Sequence, residues 1–252
     1  AIAAVGISGL TPCLLPVAAD GAPLRPAILY SDNRALAELA AANAVLPASL
    51  TAQAVIPKWR WLQAHEPELA AATACLLSSH NYVVYRLTGV ISMDYDTASI
   101  MGGVFDTAAR AWDVERCALL DVAPGILPPL HPVTAVVGHV TAAAAAATGL
   151  RAGTPVIAGT GDTFPTLVGC GAVHPGDAMI ALGTTGLLTL TTHSLEQACA
   201  GPHFAGAGDA GAVLWAANVL ACGQLLAWFR DQFGASLRQI ATGQPAAPRT
   251  YA

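Results

Sequence analysis

A chain of 252 residues that is 54% hydrophobic and only 11% charged can bury a large core and is not a disordered polypeptide. With 11 Lys and Arg against 16 Asp and Glu, a formal net charge of −5, it has no basic face for nucleic acid and no polybasic membrane anchor, so small-molecule chemistry fits best. Six cysteines (Cys13, Cys75, Cys117, Cys170, Cys199, Cys222) form no C-x-x-C pair and no His-containing ligand spacing, which predicts buried reduced thiols rather than a zinc site or a disulfide framework.

The first residues, AIAAVGISG, include no initiator Met and no basic stretch ahead of an apolar one, so they read as the inside of a strand and not as a signal peptide. Apolar runs predict strands at 1–8, 13–18 and 27–30, with Asp20-Gly21 as the tight turn between the last two, together an antiparallel meander. Asp32-Asn33 then predicts a helix cap, with the helix running through the alanines to Asn43. Pro57-Lys58-Trp59-Arg60-Trp61-Leu62 reads as an amphipathic helix whose two tryptophans pack. A third helix ends at Arg86-Leu87-Thr88-Gly89, where Gly89 is a natural C-cap; His80 within it reads as a satisfied structural histidine. The six alanines of 142–147 are a strong helix former, stopped at Thr148-Gly149.

The stretch 150–190 carries the chemistry. An apolar run, 154–158, ends in Gly159-Thr160-Gly161-Asp162, which brings a carboxylate to the mouth of a buried strand. A strand at 178–182, the turn Gly183-Thr184-Thr185-Gly186 and a strand at 187–192 then form a hairpin. Its turn offers backbone N–H groups and two hydroxyls to one point, a donor cluster suited to a phosphate. From the residues alone, capping of the following helix is the favoured reading of Asp162, and Thr184 and Thr185 fit β-branched packing about as well as phosphate binding. Beyond the hairpin, 212–229 is apolar except for Asn218 and Gln224, long enough for a membrane span. A buried strand at 211–217 followed by a helix at 223–233 explains that run better, and 234–252, with Gly243, Pro245 and Pro248, is expected to be a surface loop or frayed end.

Asp162 in its Gly-Asp turn, Pro175-Gly176-Asp177 and the ALGTTG hairpin resemble, in that order, the FGGY family of carbohydrate kinases, and within it the xylulokinases. The likeness continues along the chain. Residues 57–62 with Glu66-Pro67-Glu68 resemble the family's K-x-x-W-L helix, although Val55 stands where the family has Pro, Ser or Thr. Residues 85–89 resemble its R-L-T-G helix end, 94–99 its D-x-x-x-A-S stretch, and Asp106 with Trp112 the D and W that follow.

The resemblance implies an α/β, RNase H-like (actin-like ATPase) fold, a mixed sheet with flanking helices whose second copy is incomplete. It implies an N-terminal sugar-binding domain at 1–173 without its first strand hairpin, and a truncated start of the nucleotide-binding domain at 174–252. It also implies ATP-dependent phosphorylation of a sugar or polyol hydroxyl in the cytoplasm, with ATP and Mg2+ as cofactors. A pentulose such as xylulose is the first expectation; gluconate, glycerol or another polyol are alternatives. By resemblance, Asp162 is the general base and a substrate contact, Gly183, Thr184, Thr185 and Gly186 hold the nucleotide phosphate, and no metal ligand is assigned. Leu10-Thr11-Pro12 replaces the Gln-Met-His of xylulokinases, which leaves Thr11 and Gln53, with Asp32 as a further candidate, as the polar residues expected nearest the sugar. The expected partners are the sugar and ATP, with no nucleic acid or membrane and with a homodimer as the assembly to consider. Because the family's first phosphate turn and adenine segment are not among these residues, the chain by itself is expected to be inactive. The alternative is a non-catalytic sugar-binding or regulatory remnant.

Overall fold

The computed structural model describes residues 2–47, 49–183, 186–192, 203–205, 213–219 and 222–242, in a mixed α/β arrangement. The first half runs β1 (Ser8–Gly9), β2 (Leu15–Val17), α1 (Leu36–Val45), α2 (Val55–His65), α3 (Pro67–Ala72), β3 (Cys75–Leu77), α4 (Ser79–Thr88), β4 (Met93–Asp94) and α5 (Tyr95–Ser99). A hairpin of β5 (Phe105–Asp106) and β6 (Ala111–Trp112) leads to α6 (Val114–Leu119), a 3-10 turn at Pro124–Ile126, β7 (Leu130–His131), β8 (Val136–His139), α7 (Ala142–Thr148), β9 (Pro155–Ile157) and β10 (Thr160–Gly161). Helix α8 (Thr163–Cys170) then precedes β11 (Ala178–Leu182), β12 (Gly186–Thr192), β13 (His203–Ala205), β14 (Val213–Val219) and α9 (Gly223–Thr242).

Helix ends follow their capping residues. Ser78 and Asn81 form a capping box at the start of α4, Asp94 accepts from Thr97 N at the start of α5, and Thr141 accepts from Ala144 N at the start of α7. Gly89 and Gly149 close α4 and α7 in the left-handed conformation expected of a C-cap glycine. The largest apolar cluster gathers α2, β3, β4 and the β5–β6 hairpin around fully buried Ile56, Leu62, Leu76, Met93 and Val104. Trp59 is buried in this cluster, whereas Trp61 lies half-buried with His65 stacked on it at 4.3 Å and Arg34 over its ring.

The first strand of the predicted N-terminal meander pairs elsewhere. The segment holding Val5 to Gly9 runs parallel to 155–161: Val5 bridges Val156, Ser8 pairs Thr160 and Gly9 pairs Gly161. Strand β2 pairs antiparallel with β3, and its predicted antiparallel partnership across the Asp20-Gly21 turn is kept as two bridges, Val17 with Pro23 and Leu14 with Ile28. Pro12, Pro16, Pro23 and Pro26 lie at or beside those bridges and donate no backbone hydrogen bond, so a longer ladder cannot form. Helix α1 starts at Leu36 rather than after Asp32-Asn33, because the Asp32 carboxylate is taken by the backbone and side chain of Arg34.

Two other expectations change. Cys13, Cys75 and Cys117 are buried free thiols, but Cys170 is exposed on the last turn of α8; Cys199 lies outside the described residues. The apolar run near the C-terminus divides into β14 and α9 as the pattern predicts, yet α9 continues to Thr242 instead of loosening at Gly234. One internal glycine costs a helix only about 1 kcal/mol, and the Ala, Leu, Arg and Gln residues after it are good helix formers. Residues 243–252 lie outside the described part. Among the described residues no helix is long and apolar enough to cross a membrane.

The second sheet has the order β11-β12-β14-β13, all antiparallel. Helix α8 packs on it: Phe164 and Leu167 share a cluster with Met179 and Leu214, and Ala181 and Leu187 pack against it. The helix that begins beside Asp162 is therefore seated on the sheet that carries the Gly183 turn.

Candidate active site

Asp162 reaches the surface through a short relay of backbone hydrogen bonds. Ile157 N donates to the Val5 carbonyl at 3.0 Å, Thr160 N to Ile7 at 3.1 Å and Asp162 N to Gly9 at 3.0 Å, so β1 guides the chain up to the carboxylate. Gly159 takes φ +69°, and a Cβ there would strike the Ile7 carbonyl oxygen, so this turn needs glycine on both counts. Gly161 lies equally close to Thr11, whose Oγ1 occupies the space a Cβ would fill.

The Asp162 side chain is exposed and does not cap α8. Its backbone is helical (φ −66°, ψ −21°) rather than extended, and the third helical residue is Pro165, which has no N–H for a capping carboxylate to accept. Pro165 was the sign in the sequence that the capping use of Asp162 fails. Among the described residues no hydrogen bond or ion pair engages the carboxylate; the residue's own contacts are backbone, with Thr166 Oγ1 donating to its carbonyl at 2.9 Å.

Directly beneath the turn lies a buried polar network. Asp94 is fully buried; its Oδ1 accepts from Thr160 Oγ1 at 2.8 Å and Thr97 N at 3.0 Å, and its Oδ2 faces His80 Nε2 at 2.8 Å. A carboxylate can only accept, so Nε2 carries the proton of that bond. Burial pushes the Asp94 carboxyl up, but the hydrogen bond and charge of His80, with the Thr97 bonds, hold it below its ordinary value. Asp96, two residues on, has no partner for either oxygen, and burial, then the charge of Asp94, raise it well above the carboxylate range. The D-x-x-x-A-S resemblance marked this stretch as framework; its link to the Asp162 turn was missed because Thr160 is 66 residues away from Asp94.

The predicted sugar contacts have different neighbours. Thr11 sits against Gly161, beside the Asp162 turn. The backbone carbonyl of Gln53 accepts from Lys58 Nζ at 3.1 Å, as does that of Tyr30 at 3.3 Å. Asp32 is held bidentately by Arg34 (2.9 and 2.7 Å), and that hydrogen bond lowers its pKa to about 2. Lys58 is almost fully buried, and desolvation lowers it to about 8 against the opposing charges of Asp32 and Cys13. A lysine on the apolar side of an amphipathic helix was the available signal for this residue.

The predicted phosphate hairpin has its strands where expected, with Leu182 paired to Gly186 across the turn. Gly183 and Gly186 bound that turn, and the Gly183 carbonyl accepts from Gly223 N at the start of α9 (2.8 Å). Thr184 and Thr185 lie outside the described residues.

Comparison with known proteins accounts for the arrangement. The family model described as the N-terminal domain of the FGGY family of carbohydrate kinases matches residues 1–169. The xylulose kinase of Bacillus subtilis is 32% identical over 197 residues, which cover 77% of this chain and 39% of the relative. The L-xylulose/3-keto-L-gulonate kinase of Escherichia coli is 29% identical over 248 residues, 92% of this chain and 49% of the relative. The crystal structure of a xylulose kinase from Rhodospirillum rubrum superposes with a TM-score of 0.85 at 28% identity and covers 97% of this chain and 52% of that one. The chain thus spans about half, or less, of the length of these relatives, and its fold is the actin-like, RNase H-like one of the sugar kinases. It belongs to the FGGY family of carbohydrate kinases.

Proposed function

We propose that the whole protein transfers the γ-phosphate of ATP to a hydroxyl of a sugar or polyol, with a pentulose such as xylulose as the first substrate class to test and Asp162 as the general base. The observation that carries this reading is the Asp162 carboxylate itself. It is exposed, it makes no side-chain cap bond, and a glycine turn and the Gly9 hydrogen bond present it beside Thr11. A carboxylate is a weak base toward an alcohol, so Asp162 orients the hydroxyl and accepts its proton late, as the new P–O bond forms. Thr11 supplies a hydroxyl next to it for the acceptor.

In this reading residues 1–173 form the acceptor domain and residues 174–252 begin the nucleotide domain, whose Gly183–Gly186 turn holds the phosphates. The packing of α8 on the sheet of that turn supports the pairing, since the helix beginning after Asp162 shares a core with Met179 and Leu187. When bound, Mg2+ neutralises charge on the transferring phosphate. Asp162, whose carboxylate has no hydrogen-bond or ion-pair partner among the described residues, would be the side chain available to hold such an ion, which would supply charge neutralisation there.

The test is Asp162→Asn in the whole protein. Asn keeps the size but removes the base, so turnover should fall roughly 10²–10⁴-fold with little change in sugar KM or thermal midpoint. Near-normal turnover would remove Asp162 from the mechanism.

A further inference from the structure

We propose that Asp94 is a positioning residue of the phosphoryl-transfer site, holding the turn that carries Asp162 through its hydrogen bond to Thr160. The inference rests on Asp162 as the base. Three elements meet at the Asp94 carboxylate: β10 through Thr160 Oγ1 at 2.8 Å, the first turn of α5 through Thr97 N at 3.0 Å, and α4 through His80 Nε2 at 2.8 Å. The Asp94 and His80 side chains are both fully buried, so each of these bonds acts in a medium where it is strong and where losing it leaves a bare polar atom.

The same histidine braces the turn from its other side. Ser79 Oγ, His80 N and His80 Cβ lie where a side chain on Gly9 would go, and Gly9 is the residue whose carbonyl accepts from Asp162 N. One route to Asp162 therefore runs His80, Gly9, Asp162 N, and the other runs His80, Asp94, Thr160 and then the backbone of Gly161. The exposed carboxylate has no partner of its own among the described residues, so its aim depends on where these two routes put its backbone. A displacement of about 1 Å at a reacting group can cost on the order of 10²-fold in rate, and this gives a remote hydrogen bond its leverage.

Thr160→Val and Thr160→Ser, assayed in the whole protein beside Asp162→Asn, test the proposal. Valine keeps the branched shape and removes only the hydroxyl; serine restores it. Thr160→Val should lower kcat by about tenfold or more while sugar KM moves less than about threefold, and Thr160→Ser should recover most of the rate. Asp94→Asn combined with Thr160→Val should be little worse than the more damaging of the two alone, because both remove one interaction. If Asp94→Asn does not fold, the threonine pair still decides, since it leaves the buried charge in place. Wild-type kcat in Thr160→Val, a loss that serine does not recover, or a rate loss matched by a rise in KM and a fall in thermal midpoint, each with Asp162→Asn crippled, overturns the positioning role and leaves the base intact. Near-normal turnover in Asp162→Asn instead overturns the base.

Discussion

The part of the chain that folds around Leu62 and Met93 and the part built from β11 to α9 treat apolar surface differently. In the first, the exposed large hydrophobics are scattered one by one, such as Leu36, Val114 and Val136 on separate elements. In the second they adjoin. Ile180 and Leu188 are cross-strand partners, both exposed, with Leu182 two residues further along the same face of β11. On α9, Leu225, Leu226, Trp228, Phe229 and Phe233 are all exposed, and the Phe233 ring touches those of Trp228 and Phe229. Single exposed hydrophobics are ordinary, whereas contiguous ones mark a surface that something covers.

The largest effect that follows lies on the sealed side. Leu62 is fully buried in the main cluster among α2, β3 and the β5–β6 hairpin. Leu62→Ala should destabilise the chain by about 2–5 kcal/mol, read from urea unfolding, because the rigid surroundings collapse only partly into the space left. A loss below about 1 kcal/mol would mean that this core is as loosely covered as the second sheet.

Lys58 sharpens the contrast with a charge. The folded chain holds its ammonium near a pKa of 8 where the ordinary value is 10.5, chiefly through desolvation. Between those values the unfolded chain binds more protons than the folded one, so this residue makes stability rise as pH rises from about 8 to 10.5. The Cys75 thiol, raised by burial to about 11, works in the opposite direction over part of the same range, which makes the informative quantity a difference. The stability of the chain relative to Lys58→Met should increase across that window by on the order of 1–3 kcal/mol. A flat difference would show the amine to be solvated beside the Tyr30 and Gln53 carbonyls.

Much of this was legible in the sequence where local chemistry decides the structure. The C-cap at Gly89, the alanine helix ended by Gly149, the strand ending before Gly159 and the hairpin strands flanking Gly183 all come from turn residues, caps and periodicity. What escaped was set by partners far along the chain. The residues of 5–9 are apolar enough for any strand, and only their fit beside 155–161 makes the pairing parallel. The Asp94 network joins His80, Asp94 and Thr160, and no spacing rule relates those three positions. Asp162 lies between these cases. Its exposure on a glycine turn was readable, and so, through Pro165, was its failure to cap, but the bracing beneath it was not.

The smallest expected effect is on the open side and completes the comparison with Leu62. Leu182 and Leu226 are 76% and 69% exposed, so replacing both with lysine removes apolar surface that folding never buried. Stability should change by no more than about 0.5 kcal/mol, the usual range for surface substitutions. Solvation should respond instead. Lysine on β11, an edge strand of its sheet, discourages strand addition, and a charge on the apolar face of α9 interrupts the patch. Fluorescence of a hydrophobic-surface dye and sedimentation of the 252-residue chain should therefore both fall in the double variant while the unfolding midpoint stays fixed. Should the midpoint drop by several degrees, these leucines are already packed against something, and the two regions differ less than their exposed side chains imply.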